Sequence, residues 1–207
     1  MTKKTRILIA DDHAILRMGL AALFSSKSDL EVVGEACDGE EAVSMALRLK
    51  PDVVIMDLMM PKKDGVTATS EIHGLAPAIR ILILTTFGTS DGIARAIRAG
   101  ASGAIMKNAE KTELISALHT VADGGRAVSS EVAKLLRDDP PVQELSPRQA
   151  DILKLVTQGM TNREIAHQFA ISPESVKSHI TTIFSKIGAN SRSEAVTIAL
   201  RKHLLKM

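Results

Sequence analysis

The 207-residue chain is 45% hydrophobic, carries 26 Lys and Arg against 24 Asp and Glu, and has no apolar run long enough to span a bilayer, so it reads as one large or two modest water-soluble domains. One cysteine, Cys37, excludes an internal disulfide, and four Phe with no Trp or Tyr exclude a platform for stacking single-stranded nucleic acid. The charge is uneven: residues 1–125 hold 14 basic and 16 acidic groups (net −2), and residues 126–207 hold 12 and 8 (net +4), a surplus that suits a polyanionic partner.

The chain opens on Met1-Thr-Lys-Lys-Thr-Arg6 and runs directly into an apolar segment ending in Asp11-Asp12. No signal-peptide pattern develops, and a cytoplasmic protein is expected. Short apolar runs at 6–10, 31–34, 53–56, 81–84 and 104–106 alternate with helical patterns at 14–24, 39–50, 65–73, 91–99 and 111–123. Apolar runs without alternation, separated by helix-length segments, predict a doubly wound α/β fold with a five-stranded parallel sheet covered on both faces. Gly124-Gly125 stops the last of these helices. Residues 126–144 contain Asp138-Asp139-Pro140-Pro141, which forbids helix continuation and places a linker between a first domain at 1–125 and a second at 145–207.

The second domain reads as all-helical. Ser146-Pro-Arg-Gln149, Thr161-Asn-Arg-Glu164 and Ser191-Arg-Ser-Glu194 have the capping-box form, and Ser172-Pro173 adds a cap with proline in the first helical turn. Four short helices are predicted, starting at Pro147, Asn162, Pro173 and Arg192, with Gly159 and Gly188 where two of them stop.

In an open parallel sheet, functional groups collect at the carboxyl ends of the strands. Here those ends supply Asp11 and Asp12, then Asp57, Thr85 and Lys107. Three carboxylates converging on one point need a cation, and an all-oxygen set suits Mg²⁺. Lys107 adds a point charge for a phosphoryl oxygen and Thr85 a hydroxyl donor. Between them, Asp57 at the end of the central strand is the predicted nucleophile for a phosphoryl group. An aspartate-nucleophile hydrolase would need a second acid two residues on, where Met59 stands.

Ile9-Ala-Asp-Asp-His13, Ile55-Met-Asp-Leu-Met-Met-Pro61, Leu84-Thr-Thr-Phe87 and Gly100-Ala-Ser-Gly-Ala-Ile-Met-Lys107 resemble the receiver domains of two-component response regulators. The resemblance implies that Asp57 accepts a phosphoryl group from a histidine kinase, and that Asp12 and Asp57 bind Mg²⁺. It adds Asp11 through a water and the main-chain carbonyl of Met59 to the ligand set, and makes Thr85 and Lys107 the switch pair. Receivers often carry an aromatic switch three positions before the lysine, where this chain has Ala104, so the signal must leave through Thr85, Thr86 or Phe87 and the next helix, or through a dimer surface.

On the helix from Pro173, Val176, Ile180, Ile183 and Ile187 share a core face, opposite Glu174, Lys177, Ser178, Thr181 and Ser185. Leu145-Ser-Pro-Arg-Gln, Leu155-Val-Thr-Gln-Gly-Met-Thr-Asn-Arg-Glu-Ile-Ala166 and Ile171-Ser-Pro-Glu-Ser-Val-Lys-Ser-His-Ile180 resemble the LuxR/NarL-type helix-turn-helix. By that resemblance Lys177, Ser178 and Thr181 contact DNA from the recognition helix, and Thr161, Asn162 and Arg192 lie near phosphates. Together the two resemblances point to the NarL/FixJ subfamily. They imply a transcriptional regulator, not an enzyme acting on other substrates, that forms a homodimer on an inverted repeat of double-stranded DNA when phosphorylated.

Overall fold

The computed structural model describes residues 4–86 and 90–205, which divide into two compact units, Met1–Asp139 and Pro140–Met207. In the first, β1 (Thr5–Ala10), β2 (Leu30–Ala36), β3 (Val53–Met56), β4 (Arg80–Thr85) and β5 (Gly103–Met106) alternate with α1 (Ala14–Ser25), α2 (Gly39–Leu49), α3 (Gly65–Leu75), α4 (Ser90–Arg98) and α5 (Lys111–Ala122). All pairings are parallel, in the order β2-β1-β3-β4-β5, with a sixth strand beyond β5.

Side chains alternate across the strands into two cores, which is why the strands are apolar throughout. Leu8, Val54, Met56, Ile81, Ile83 and Ala104 face α2, α3 and α4, while Ile7, Ile9, Ile55, Leu82 and Ile105 face α1 and α5.

Residues 126–139, expected as linker, are folded. Ala127–Val128 form β6, the sixth strand, which pairs with Gly103–Ala104 of β5, and Ser130–Asp138 form α6. Ser129 caps α6 by accepting the Val132 N–H at 3.2 Å. Val132 is 0% exposed in the same core as Ala104, with Leu135 and Leu136 packed beside it. The sheet therefore has six strands rather than five, and the first unit runs on to Asp139. A two-residue strand is too short to show a period, but Ser129 followed by apolar residues at 132, 135 and 136 is a legible helix signal.

The second unit holds α7 (Pro147–Thr157), α8 (Asn162–Phe169), α9 (Pro173–Ile187) and α10 (Arg192–Arg201), starting at the four predicted residues. Ser146 and Thr161 each close a full capping box. At Ser191 the box is one residue out of step: its hydroxyl accepts the Glu194 N–H, but Glu194 Oε2 reaches back to the N–H of Asn190, at 2.7 Å. Gly188 ends α9 at φ +74, a left-handed conformation that favours glycine. Val176, Ile180, Ile183 and Ile187 of α9 meet Ile152, Val156, Ile165 and Ile198 in one core. No described helix is long and apolar enough to cross a membrane.

Candidate functional site: an acidic pocket and a helix-turn-helix

Strand register builds the pocket. Ala10 pairs with Met56, Met56 with Ile83 and Thr85 with Met106, so Asp11, Asp57, Thr85 and Lys107 leave the sheet at the same edge. Main-chain bonds extend this register, with the Asp57 N–H donating to Ala10 O and the Lys107 N–H to Thr85 O, both at 2.8 Å. Asp11 and Asp57 are 2% and 3% exposed.

Lys107 bridges the two acids. Its Nζ lies 2.6 Å from Asp11 Oδ2 and 2.9 Å from Asp57 Oδ2. The other oxygen of Asp57 accepts the Leu58 N–H at 2.8 Å. Burial pushes the Asp57 carboxyl above the ordinary carboxylate range, against the opposing pull of the Lys107 bond. Burial also pulls Lys107 down, but its bonds to Asp11 and Asp57 outweigh that and leave it raised.

Asp12 stands more exposed at the rim, where His13 Nδ1 lies 2.7 Å from Asp12 Oδ1 and 3.2 Å from Asp11 Oδ1. Ligand atoms of Asp11, Asp12, His13 and Asp57 all lie within 4.8 Å of one another. Two nearly sealed carboxylates with one lysine between them, and a third at the mouth, fit a hard divalent cation: the donors are mostly oxygen and their charge exceeds what Lys107 neutralises. Met59 lies in the loop after Asp57, 55% exposed, and Thr85 is buried at the end of β4. Phe87 lies outside the described residues.

Sequence reasoning missed three groups here. His13 sits among the carboxylates, the Leu58 N–H fixes one Asp57 oxygen, and Arg17 Nη1 donates to Asp11 O at 2.6 Å. His13 could have been suspected because it directly follows the two acids. The other two contacts depend on main-chain direction and leave no trace in residue type.

On α9, Glu174, Lys177, Ser178, Thr181 and Ser185 are exposed and Val176, Ile180, Ile183 and Ile187 are buried. The Thr181 hydroxyl donates back to Lys177 O at 3.0 Å, and the Thr161 hydroxyl is engaged in capping α8, donating to Glu164 Oε2 at 2.8 Å. Arg192 is drawn inward: its guanidinium bonds Met160 O and lies 3.4 Å from Asn162 Oδ1, tying the start of α10 to the turn before α8.

Two family descriptions match the chain. Residues 7–119 match the response regulator receiver domain, and residues 143–199 match the luxR family of bacterial regulatory proteins. The chain belongs to the response regulator family. It is 38% identical to the transcriptional regulatory protein LiaR of Bacillus subtilis, over 97% of this chain and 99% of that one. The crystal structure of ChrA, the response regulator of a heme-sensing two-component system, is 37% identical, with 98% of this chain and 99% of that one covered and a TM-score of 0.58. RcsB of Salmonella enterica, solved bound to a promoter with the phosphomimetic BeF3−, is 25% identical over 96% of this chain and 99% of that one, with a TM-score of 0.72. The response regulator is thus a receiver joined to a helix-turn-helix domain, a phosphorylation-controlled transcriptional regulator.

Proposed function

We propose that Asp57 of this cytoplasmic regulator takes a phosphoryl group from the phosphohistidine of a sensor histidine kinase. One Asp57 carboxylate oxygen bonds to phosphorus, the P–N bond breaks and the imidazole leaves with a proton. The observation that carries this reading is the single lysine bridging two sealed carboxylates, with Lys107 Nζ within 2.9 Å of both Asp11 and Asp57. When Asp57 is modified, Lys107 exchanges the Asp57 oxygen for a phosphoryl oxygen while keeping Asp11. Thr85, on the neighbouring strand end, donates its hydroxyl to a second phosphoryl oxygen.

We propose that the pocket takes Mg²⁺, which would be held by Asp12, Asp57, the main-chain carbonyl of Met59 and, through a water, Asp11. Bound there, it would supply positive charge that offsets the negative charge of the transferring group. The acidic donor set favours a hard cation over a softer one, although His13 supplies a nitrogen at the rim.

In the second unit, Lys177, Ser178 and Thr181 read the major groove of double-stranded DNA from α9, and Thr161 and Asn162 lie against the backbone. The inward bonds of Arg192 support a bracing role for it rather than a free phosphate contact. Phosphorylation promotes a homodimer on an inverted repeat, a reading supported by the likeness to RcsB captured on a promoter with a phosphomimetic.

Purified protein with Mg²⁺ and acetyl phosphate gains one phosphoryl group by intact mass, and Asp57→Asn gains none at that position. Equal modification of both proteins would remove Asp57 from the role.

A further inference from the structure

The loop from Asp57 to Gly65 joins β3 to α3 and carries Leu58, whose N–H donates to Asp57 Oδ1 at 2.8 Å. Its backbone is strained at Lys62. That residue has φ +62, and the Lys63 N–H donates to Pro61 O at 2.7 Å, so the chain makes a three-residue γ-turn with a positive φ at its centre, the rarer form. A residue with a Cβ stays in that region only where its surroundings hold it.

Contacts on both sides of the loop do so. Lys62 Nζ lies 2.6 Å from Asp38 Oδ2, and Asp38 Oδ1 accepts the Glu41 N–H at 2.8 Å, capping α2. The Asp38 side chain is 3% exposed and that of Lys62 62% exposed, so the carboxylate is shielded while solvent reaches the pair from the lysine side. Beside it, Gly39 lies so close to the loop that a Cβ there would come within 2.1 Å of Lys63 O. At the far end the Gly65 N–H closes onto Leu58 O at 2.9 Å, and a Cβ on Gly65 would meet Asp57 O at 1.9 Å. The strained turn is therefore fastened to α2 on one side and to the Asp57 backbone on the other.

We propose that the Asp38–Lys62 ion pair is a strut that positions the 57–65 loop, and through the Leu58 N–H orients the Asp57 carboxylate for phosphoryl uptake. The inference rests on Asp57 being the phosphoacceptor. Asp38 and Lys62 do not touch the reacting atoms and act as positioning residues. With the strut gone, the turn relaxes from its left-handed conformation, the Leu58 N–H loosens from Oδ1, and Asp57 loses the orientation that presents Oδ2 beside Lys107.

Two conservative variants separate the strut from the fold. Asp38→Asn keeps an oxygen to cap α2 but removes the charge, and Lys62→Met keeps the stem but removes the ammonium. Each variant is measured for its rate of mass gain at Asp57 with acetyl phosphate and saturating Mg²⁺. Each is also measured for the Leu58 amide chemical shift without metal or phosphodonor. Uptake is expected to slow about tenfold in both, since small misplacements of a reacting group carry penalties of that order or more. The Leu58 amide proton moves upfield, β1 amides stay in place, and the double variant is no slower than either single one. Lys62→Gly, which holds a positive φ without strain, keeps its turn without the ammonium and is expected to retain uptake closer to wild type than Lys62→Met does. Wild-type rates in Asp38→Asn and Lys62→Met, or rate losses that multiply in the double variant, overturn the strut. A wild-type protein that gains nothing at Asp57 overturns the phosphoacceptor reading instead, and the Leu58 shift then still reports whether the strut holds the loop.

Discussion

Lys107 and Asp57, 50 residues apart in the chain, meet with the ammonium 2.9 Å from the carboxylate, and the same nitrogen lies 2.6 Å from Asp11. One cation thus serves two acids that water scarcely reaches. The balance of charge in this pocket governs both its stability and its affinity for a metal ion.

Lys107→Met leaves two buried carboxylates without a counter-charge, and breaking a buried pair in this way costs on the order of 3–5 kcal/mol. The loss is expected in full only without metal. Mg²⁺ is expected to stabilise the folded state by mass action, and more so where it replaces the missing positive charge. Thermal unfolding in EDTA and in Mg²⁺ checks this: the metal-induced rise is larger in the variant than in wild type. Equal rises would show that Lys107 and the metal do not compensate the same charge.

The raised Asp57 carboxyl makes stability depend on pH in a defined direction. Because the folded state holds this proton more tightly than the unfolded chain, the contribution is present below the ordinary carboxylate range and is lost as pH rises through the raised value. In metal-free buffer, Asp57→Asn lacks that fall and unfolds at a higher temperature than wild type above the window. Melts from about pH 4 to about pH 8, spanning the model carboxylate range upward, test it. Parallel profiles for the two proteins would remove Asp57 as the source.

Val132 anchors α6 to the sheet, and Val132→Ala is expected to cost about 2 kcal/mol, the scale of deleting buried aliphatic groups. Denaturant unfolding of the first unit reads the loss directly. An unchanged midpoint would mean that α6 contributes no more to that unit than a tether.

Lys177 and Arg192 are separable by salt. Lys177→Ala is expected to cost roughly 1–3 kcal/mol on a cognate duplex and little on a scrambled one, because a base-edge contact discriminates and a phosphate contact does not. Arg192→Ala is expected to lower the thermal midpoint of the second unit, since its guanidinium holds Met160 O and Asn162, and to leave the salt slope of DNA binding unchanged. A slope smaller by about one for Arg192→Ala would instead restore it as a phosphate contact.

The α/β order, the strand-end acids and the starts of α7 to α10 were legible in residue type and spacing. Ser146 and Thr161 illustrate why: each capping box is complete within three residues, so the sequence window that encodes it also contains every atom that makes it. The boundary at residue 125 misplaced the end of the first unit because Gly124-Gly125 and Pro140-Pro141 are both strong breakers. The pairing of Ala127–Val128 with β5 and the burial of Val132 show that the chain between them returns to the sheet.

The sequence by itself determined the elements other than β6 and α6, and which residues stand at their ends, because helix periodicity, caps and apolar runs are interactions within a few positions. Tertiary structure alone decided that Lys107 bridges Asp11 and Asp57, that Arg192 turns inward to Met160, and that Lys62 reaches Asp38. Those pairings join groups 24 to 96 residues apart, and their geometry follows from sheet register, loop path and helix packing, which no local window of sequence contains.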